Sequence, residues 1–157
     1  MSAVFPVRRA ALFLKRWRRT SWPDLALLAE ALLLLAFARI AILILPFRAV
    51  GWIASRFTGE RVIAAQVRDD MVCRVRWAVL AGARRVPFRA VCFQQGLAAQ
   101  IMLRRRGVNS TLYFGAAPDD AKGLVAHVWV RDGGSEVVGC EIASRFAVLA
   151  RFPGPGR

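Results

Sequence analysis

Two residues of this chain have types suited to covalent chemistry and sit in settings that favour it. Cys92 opens the segment CFQQGLAAQIMLRRRG, and the single histidine, His127, lies in the alternating apolar run LVAHVWV. A thiol on the first residue of a helix is drawn toward thiolate by the positive end of the helix dipole, and a neighbouring imidazolium adds to that pull. Such a thiolate attacks a carbonyl carbon and forms an acyl-thioester, which water or an amine then resolves. The backbone N–H of Cys92 is the natural oxyanion donor, since no glutamine stands shortly before it to offer a side chain. The competing reading is structural: a small packing cysteine, and a strand histidine held by one backbone bond. Two details favour chemistry. Cys92 begins its segment instead of lying within it, and His127 is the one polar residue in its run.

A third group must orient the imidazole and hold its tautomer. The hairpin that carries His127 decides which, because a one-residue slip sends a side chain to the other face. With a two-residue turn, even-numbered residues such as Cys140 share the His127 face. With the three-residue loop Asp132-Gly133-Gly134, a recognised hairpin solution, His127 opposes Gly139 and Glu141 becomes its diagonal neighbour. Glu141 is the expected third residue on that register. Asp132 is the reserve, with a competing role in the turn. Glu141 has its own alternative, as a surface carboxylate paired with Arg145.

The elements that must position these groups are legible in outline. Residues 1–20, with ALFLKRWRRT, have the pattern of a basic amphipathic helix. Thr20 or Ser21 caps a second helix, with Pro23 in its first turn and Asp24 complementing its dipole. That helix is expected to run to about Leu45, where Pro46 breaks it, with a shorter one following through Phe57. Thr58-Gly59-Glu60 marks a boundary between an N-terminal helical extension, 1–60, and a catalytic domain, 61–157. Over 61–85, Val67, Met71, Val75, Val79 and Leu80 recur at helical spacing, and Cys73 reads as a packing residue. The helix from Cys92 to about Arg106 presents Cys92, Gly96, Ala99 and Leu103 on one stripe, closed by Gly107 as a left-handed cap. Ser110–Gly115 is a strand, 116–123 a loop, and Leu124–Arg131 with Glu136–Ile142 a hairpin. Residues 145–152 add a last strand. One main helix on antiparallel strands, with helices before it, is an α+β fold.

Composition narrows the setting. The chain has 157 residues, 24 basic and 10 acidic, for a formal charge of +14. The excess is spread along the chain, which predicts a generally cationic surface and acidic, lipid or nucleic-acid partners by charge alone. No nucleic-acid motif or aromatic stacking platform accompanies it. Three cysteines without regular spacing do not make a disulfide framework, and one histidine without CxxC does not make a zinc site. No metal or cofactor is expected. Leu25–Leu45 holds only Glu30 and Arg39 as charges. Each costs about 2.5–3.5 kcal/mol near the centre of a membrane span, so a buried or partner-docked helix is the preferred reading over a span. The expected location is the cytoplasm, with the apolar helix as a potential membrane contact.

The string PFRAVCFQQGLAAQIMLRRRGVNSTLYFG, then HVWV, then VVGCEIASRFAVLARF resembles the transglutaminase-like leader peptidases of lasso-peptide biosynthesis over about residues 60–153. The N-terminal apolar segment ending in LPFR is similar to that family as well. The resemblance implies a papain- or transglutaminase-like core in which Cys92 attacks the leader of a ribosomally made precursor peptide and His127 is the base. The family's usual third member is an aspartate on the strand after the histidine. Val138 and Gly139 occupy that neighbourhood here, and Glu141 is the nearest carboxylate. The resemblance also implies two protein partners. One is a small leader-binding protein, separate because residues 1–60 lack a pattern of three strands followed by helices. The other is an ATP-dependent, asparagine-synthetase-like cyclase that closes the macrolactam. Acyl transfer to an amine by the same Cys–His pair is the first alternative. A non-enzymatic cationic adaptor at a membrane is the second.

Overall fold

The computed structural model describes residues 22–56, 63–121 and 123–154. The expected basic helix over 1–20 and the boundary at Thr58-Gly59-Glu60 lie outside the described residues. Helix α1, Trp22–Ile44, starts with Pro23 and Asp24 in its first turn and ends before Pro46, which cannot continue it. Its buried positions, Leu27, Ala31, Leu35, Ala38 and Ala41, recur every three or four residues and form one face. Helix α2, Phe47–Arg56, follows at once and buries Val50, Gly51 and Ala54. Helix α3, Ala65–Ala83, packs along α1. Its inner stripe runs through Val72, Val75, Val79 and Gly82; Val75 and Val79 are buried as expected, and Met71 and Leu80 pack partly buried beside them. Val67, in the first turn, is exposed. Cys73 was expected to pack, yet it is exposed, because it stands about 100° round the helix from Val72.

Helix α4, Cys92–Arg105, is the central element. From Gln94 to Arg104 nearly every residue is buried, because α1, α3 and the sheet enclose it. Gly107, at φ 81°, turns the chain out of the helix. Four antiparallel strands follow: β1 Ser110–Asp119, β2 Gly123–Asp132, β3 Ser135–Val138 and β4 Ala147–Phe152, in the order β3-β2-β1-β4. Helices packed on a four-stranded antiparallel sheet give the α+β architecture expected from the sequence. Leu27, Ala31 and Leu35 of α1 share one core with α3, α4 and the sheet, so that core crosses the expected division at residue 60.

Three strand expectations are corrected. Residues 116–119 belong to β1, not to a loop: Ala116 to Asp119 pair with Ala126 to Gly123. Pro118 is tolerated there because β4 pairs with β1 only over Leu112–Ala116 and leaves its far end an edge. The hairpin after β2 has a two-residue turn, Gly133-Gly134, not a three-residue loop, with Asp132 opposite Ser135. A bulge then shifts the register so that Val130 faces Val138. The strand stops at Val138. Gly139, at φ 72°, redirects the chain into a 3₁₀ turn, Cys140–Arg145, where strand was expected to Ile142.

The sheet has two unlike faces. Leu112, Val128 and Val130 face α4 and join the main core. A Cβ on Gly96 would stand 2.7 Å from Val128 Cγ1, so the glycine is what lets α4 settle onto the strands. The opposite face carries Trp129, Cys140 and Ala143, flanked by Tyr113 and Phe146. One polar group locks the assembly. Gln100, fully buried, sends its amide nitrogen to the carbonyls of Ala54 (3.3 Å), Ser110 (3.1 Å) and Phe152 (2.9 Å), and its amide oxygen accepts from Ser110 Oγ (2.9 Å).

Candidate active site

Cys92 is the first residue of α4, as the sequence predicts, and its side chain is half-buried against the main core. The preceding Val91 is extended (φ −84°, ψ 177°) and has no side-chain acceptor for the helix N–H groups. Two glutamines brace this entrance instead. Gln94 Oε1 accepts from the Val91 N–H (2.9 Å), and Gln95 Nε2 donates to the Ala90 carbonyl (2.7 Å). The helix end beside the thiol therefore keeps its first N–H groups and its positive dipole for an incoming acyl oxygen or thiolate. The next residue, Phe93, meets Phe47 and Phe114 edge-on at centroid separations of 6.4 and 6.5 Å.

His127 is buried on β2, directly opposite Gly115 of β1. Its ring stacks at 6.0 Å on Trp129 and tilts over Phe146 at 4.9 Å. Nε2 lies 2.7 Å from the carbonyl of Gly139. A carbonyl only accepts, so in the neutral ring Nε2 carries the hydrogen and Nδ1 keeps the lone pair. The tautomer-fixing partner is thus a backbone oxygen in the neighbourhood where the sequence resemblance calls for an aspartate. Side-chain types alone do not mark such a partner; the glycine at the end of β3 is the signal. At φ 72° Gly139 holds a conformation that L side chains rarely adopt, and a Cβ there would stand 2.5 Å from the Val128 carbonyl. Gly139→Ala is expected to cost about 2–3 kcal/mol, read as a lower urea midpoint.

Glu141, expected to orient His127, is elsewhere. It sits in the 3₁₀ turn, exposed, and accepts from Arg76 Nη2 of α3 at 2.9 Å. Arg76 Nη1 also donates to the Val137 carbonyl at 2.7 Å, so the pair straps the turn to the helix layer. The physical reason is the turn after Gly139, which removes residue 141 from the strand register on which the expectation rested. Its alternative partner, Arg145, is replaced by Arg76.

Asp132, the reserve, is also away from the imidazole. It ends β2 on the face of Val128 and Val130, buried, with Oδ2 3.4 Å from Arg68 Nε. Burial pushes its carboxyl above the ordinary range. Arg68 pulls it down and Asp69 pushes it up, and burial outweighs both. A raised native pKa means that the native state holds the proton more tightly than the unfolded chain. The associated stability is present in acid and lost as pH rises through the native value. Asp132→Asn is therefore expected to raise the urea midpoint at neutral pH, with the advantage shrinking as the pH falls and the native carboxyl takes up its proton.

The structure does not join the proposed nucleophile and base by a hydrogen bond. His127 leaves β2 on the face opposite Val128, the neighbour of Gly96 one turn along from Cys92. The cysteine on the His127 face is Cys140, as the two-residue-turn alternative had it. Its thiol donates to the Val130 carbonyl (3.2 Å), and burial pushes its pKa up, so it is held as a neutral thiol. Of the three cysteines, Cys73 is a surface thiol and Cys140 a buried one, and Cys92 alone opens an α-helix. No group of three metal-ligating side chains converges among the described residues.

A family model described as the transglutaminase-like superfamily matches residues 31–151. No curated protein and no solved structure matches the chain.

Proposed function

Since this chain belongs to the transglutaminase-like superfamily, we propose that it is a cysteine peptidase removing the leader of a ribosomally made precursor, of the lasso-peptide kind, with Cys92 as nucleophile and His127 as base. The observation that carries the reading is the thiol on the first residue of α4, beside N–H groups that no side chain caps. The matched region contains both residues. His127 Nδ1 takes the thiol proton, and Sγ attacks the scissile carbonyl. The oxygen's developing charge falls on the N–H groups at the start of α4. The imidazolium then protonates the leaving amine, and water releases the acyl group from the thioester. His127 leaves β2 on the face away from α4 and the core that Cys92 packs against, so more than the closing of an open hydrogen bond is needed: the entrance of α4 and β2 must rearrange when substrate binds. The proposal requires His127 and Cys92 to come together on that binding.

A separate leader-binding protein would present the precursor, and an asparagine-synthetase-like cyclase would consume the freed amine. The test is to incubate the protein with precursor and leader-binding protein and weigh the products. Two fragments whose masses sum to the precursor plus one water support hydrolysis. A leader joined through its C-terminal carbonyl to an added amine supports acyl transfer by the same pair. A second reading, a non-enzymatic adaptor, is favoured by one observation, the lack of a hydrogen bond between Cys92 and His127. An intact precursor under conditions where the leader-binding protein does engage it would establish that reading and end the first.

A further inference from the structure

We infer that the outward face of α1 and α2 is a docking surface for an anionic lipid bilayer, lying on it and not crossing it. Helix α1 is 23 residues long and apolar enough to span a membrane, yet only 28% of its most apolar window is buried. The remainder is not scattered. Trp22, Leu25, Leu33, Phe37, Ile40 and Ile44 are all exposed, Trp22 at 86%, Leu33 at 73% and Ile44 at 72%. At 100° per residue they form a single stripe about 33 Å long. That stripe lies diametrically opposite the buried one through Leu27, Ala31, Leu35 and Ala38. A contiguous apolar surface of this length marks an interaction site.

The charges choose the occupant. The two acidic residues of α1 are already engaged, Asp24 by Arg74 and Glu30 by Arg105 and Arg106. What α1 and α2 expose is Arg39, Arg48 and Arg56, the last stacked 4.6 Å over the exposed Trp52 ring. In sequence, Arg8, Arg9, Lys15, Arg16, Arg18 and Arg19 precede Trp22. An apolar stripe whose acidic neighbours are already paired, with exposed arginines and tryptophans on both α1 and α2, matches the boundary between acyl chains and anionic headgroups. A second copy of this chain would bring like charges together, so self-association is disfavoured. Spanning would strip Leu27, Ala31, Leu35 and Ala38 from α3 and α4 and dismantle the core, so the helix lies in the plane of the surface.

The test is flotation of the full chain with vesicles of phosphatidylcholine alone or with about one third phosphatidylglycerol. The expected result is binding to the anionic vesicles at least tenfold tighter than to the neutral ones. The triple variant Leu33→Gln/Phe37→Gln/Ile40→Gln, altered only at exposed positions, should lose at least tenfold. Arg48→Glu/Arg56→Glu, a second probe independent of the first variant's folding, should lose a similar factor. Undiminished binding by both variants would assign all affinity to the preceding basic segment and overturn the inference. So would a chain that ignores the vesicles and is a dimer until the triple substitution separates it, which would identify a second copy as the occupant.

Discussion

Replacing Cys92 by alanine should reduce precursor cleavage by about 10⁴-fold or more, the scale on which a nucleophile's removal acts in cysteine and serine hydrolases. The size matters less than the pattern across a short series. His127→Ala should fall nearly as far, because nucleophile and base work as one unit and their losses do not add. Glu141→Gln should stay within about twofold, since that carboxylate is spent on Arg76 at the surface, where an ion pair is worth about 1 kcal/mol or less. A Glu141→Gln loss comparable to that of His127→Ala would mean that the 3₁₀ turn rearranges in the working enzyme and returns the carboxylate to the imidazole. The three cysteines supply an internal standard through iodoacetamide labelling at neutral pH. Exposed Cys73 reports an ordinary thiol and buried Cys140 a sheltered one. Cys92, less exposed than Cys73, should nonetheless react faster, and His127→Ala should remove that advantage. Cys92 labelling no faster than Cys73 with the leader-binding protein and precursor present would sink the peptidase reading.

Much of the frame was legible because it rests on local rules. Pro46 ended α1 and Gly107 ended α4, whereas α1, apolar nearly all round, did not show which side is buried. The start of α4 at Cys92 followed from the same logic. The third partner of the imidazole was not legible, because it hangs on the register of one hairpin. Gly133 and Gly134 permit two loop lengths, and the bulge before Arg131 alters the pairing again without any marker in the side chains. The outcome, a glycine carbonyl on Nε2, is invisible to any search for a carboxylate. Charge was misleading in a similar way. Arg76 and Glu141 are 65 residues apart, and nothing local links them. The face of His127 was equally beyond reach, since alternation in LVAHVWV says that neighbours diverge but not which side α4 covers.

Gln100→Leu is expected to destabilise the fold by about 3–5 kcal/mol, a large part of the roughly 5–15 kcal/mol that holds a domain together. The side chain is fully buried on α4, and leucine has nearly the same volume, so packing is not what is lost. The loss is the amide. Its nitrogen serves carbonyls on three elements, α2, β1 and β4. Its oxygen satisfies the buried hydroxyl of Ser110. Arg104 Nη1 still reaches the Ser110 carbonyl at 2.9 Å, so that acceptor keeps one partner. The Ala54 bond and the Phe152 bond are lost outright, and a buried polar group stripped of its partner costs about 1–3 kcal/mol. Gln100→Glu should do worse near neutral pH, because it replaces the donor by an acceptor facing three oxygens. It should recover in acid, when the carboxyl gains a proton and can donate to one of them. Urea titrations of the three proteins at neutral and acid pH would order native above Leu above Glu at neutral pH, with Leu and Glu converging in acid. A Leu variant as stable as the native chain would mean that these carbonyls reach water and that the enclosed junction of α2, α4, β1 and β4 is open in solution.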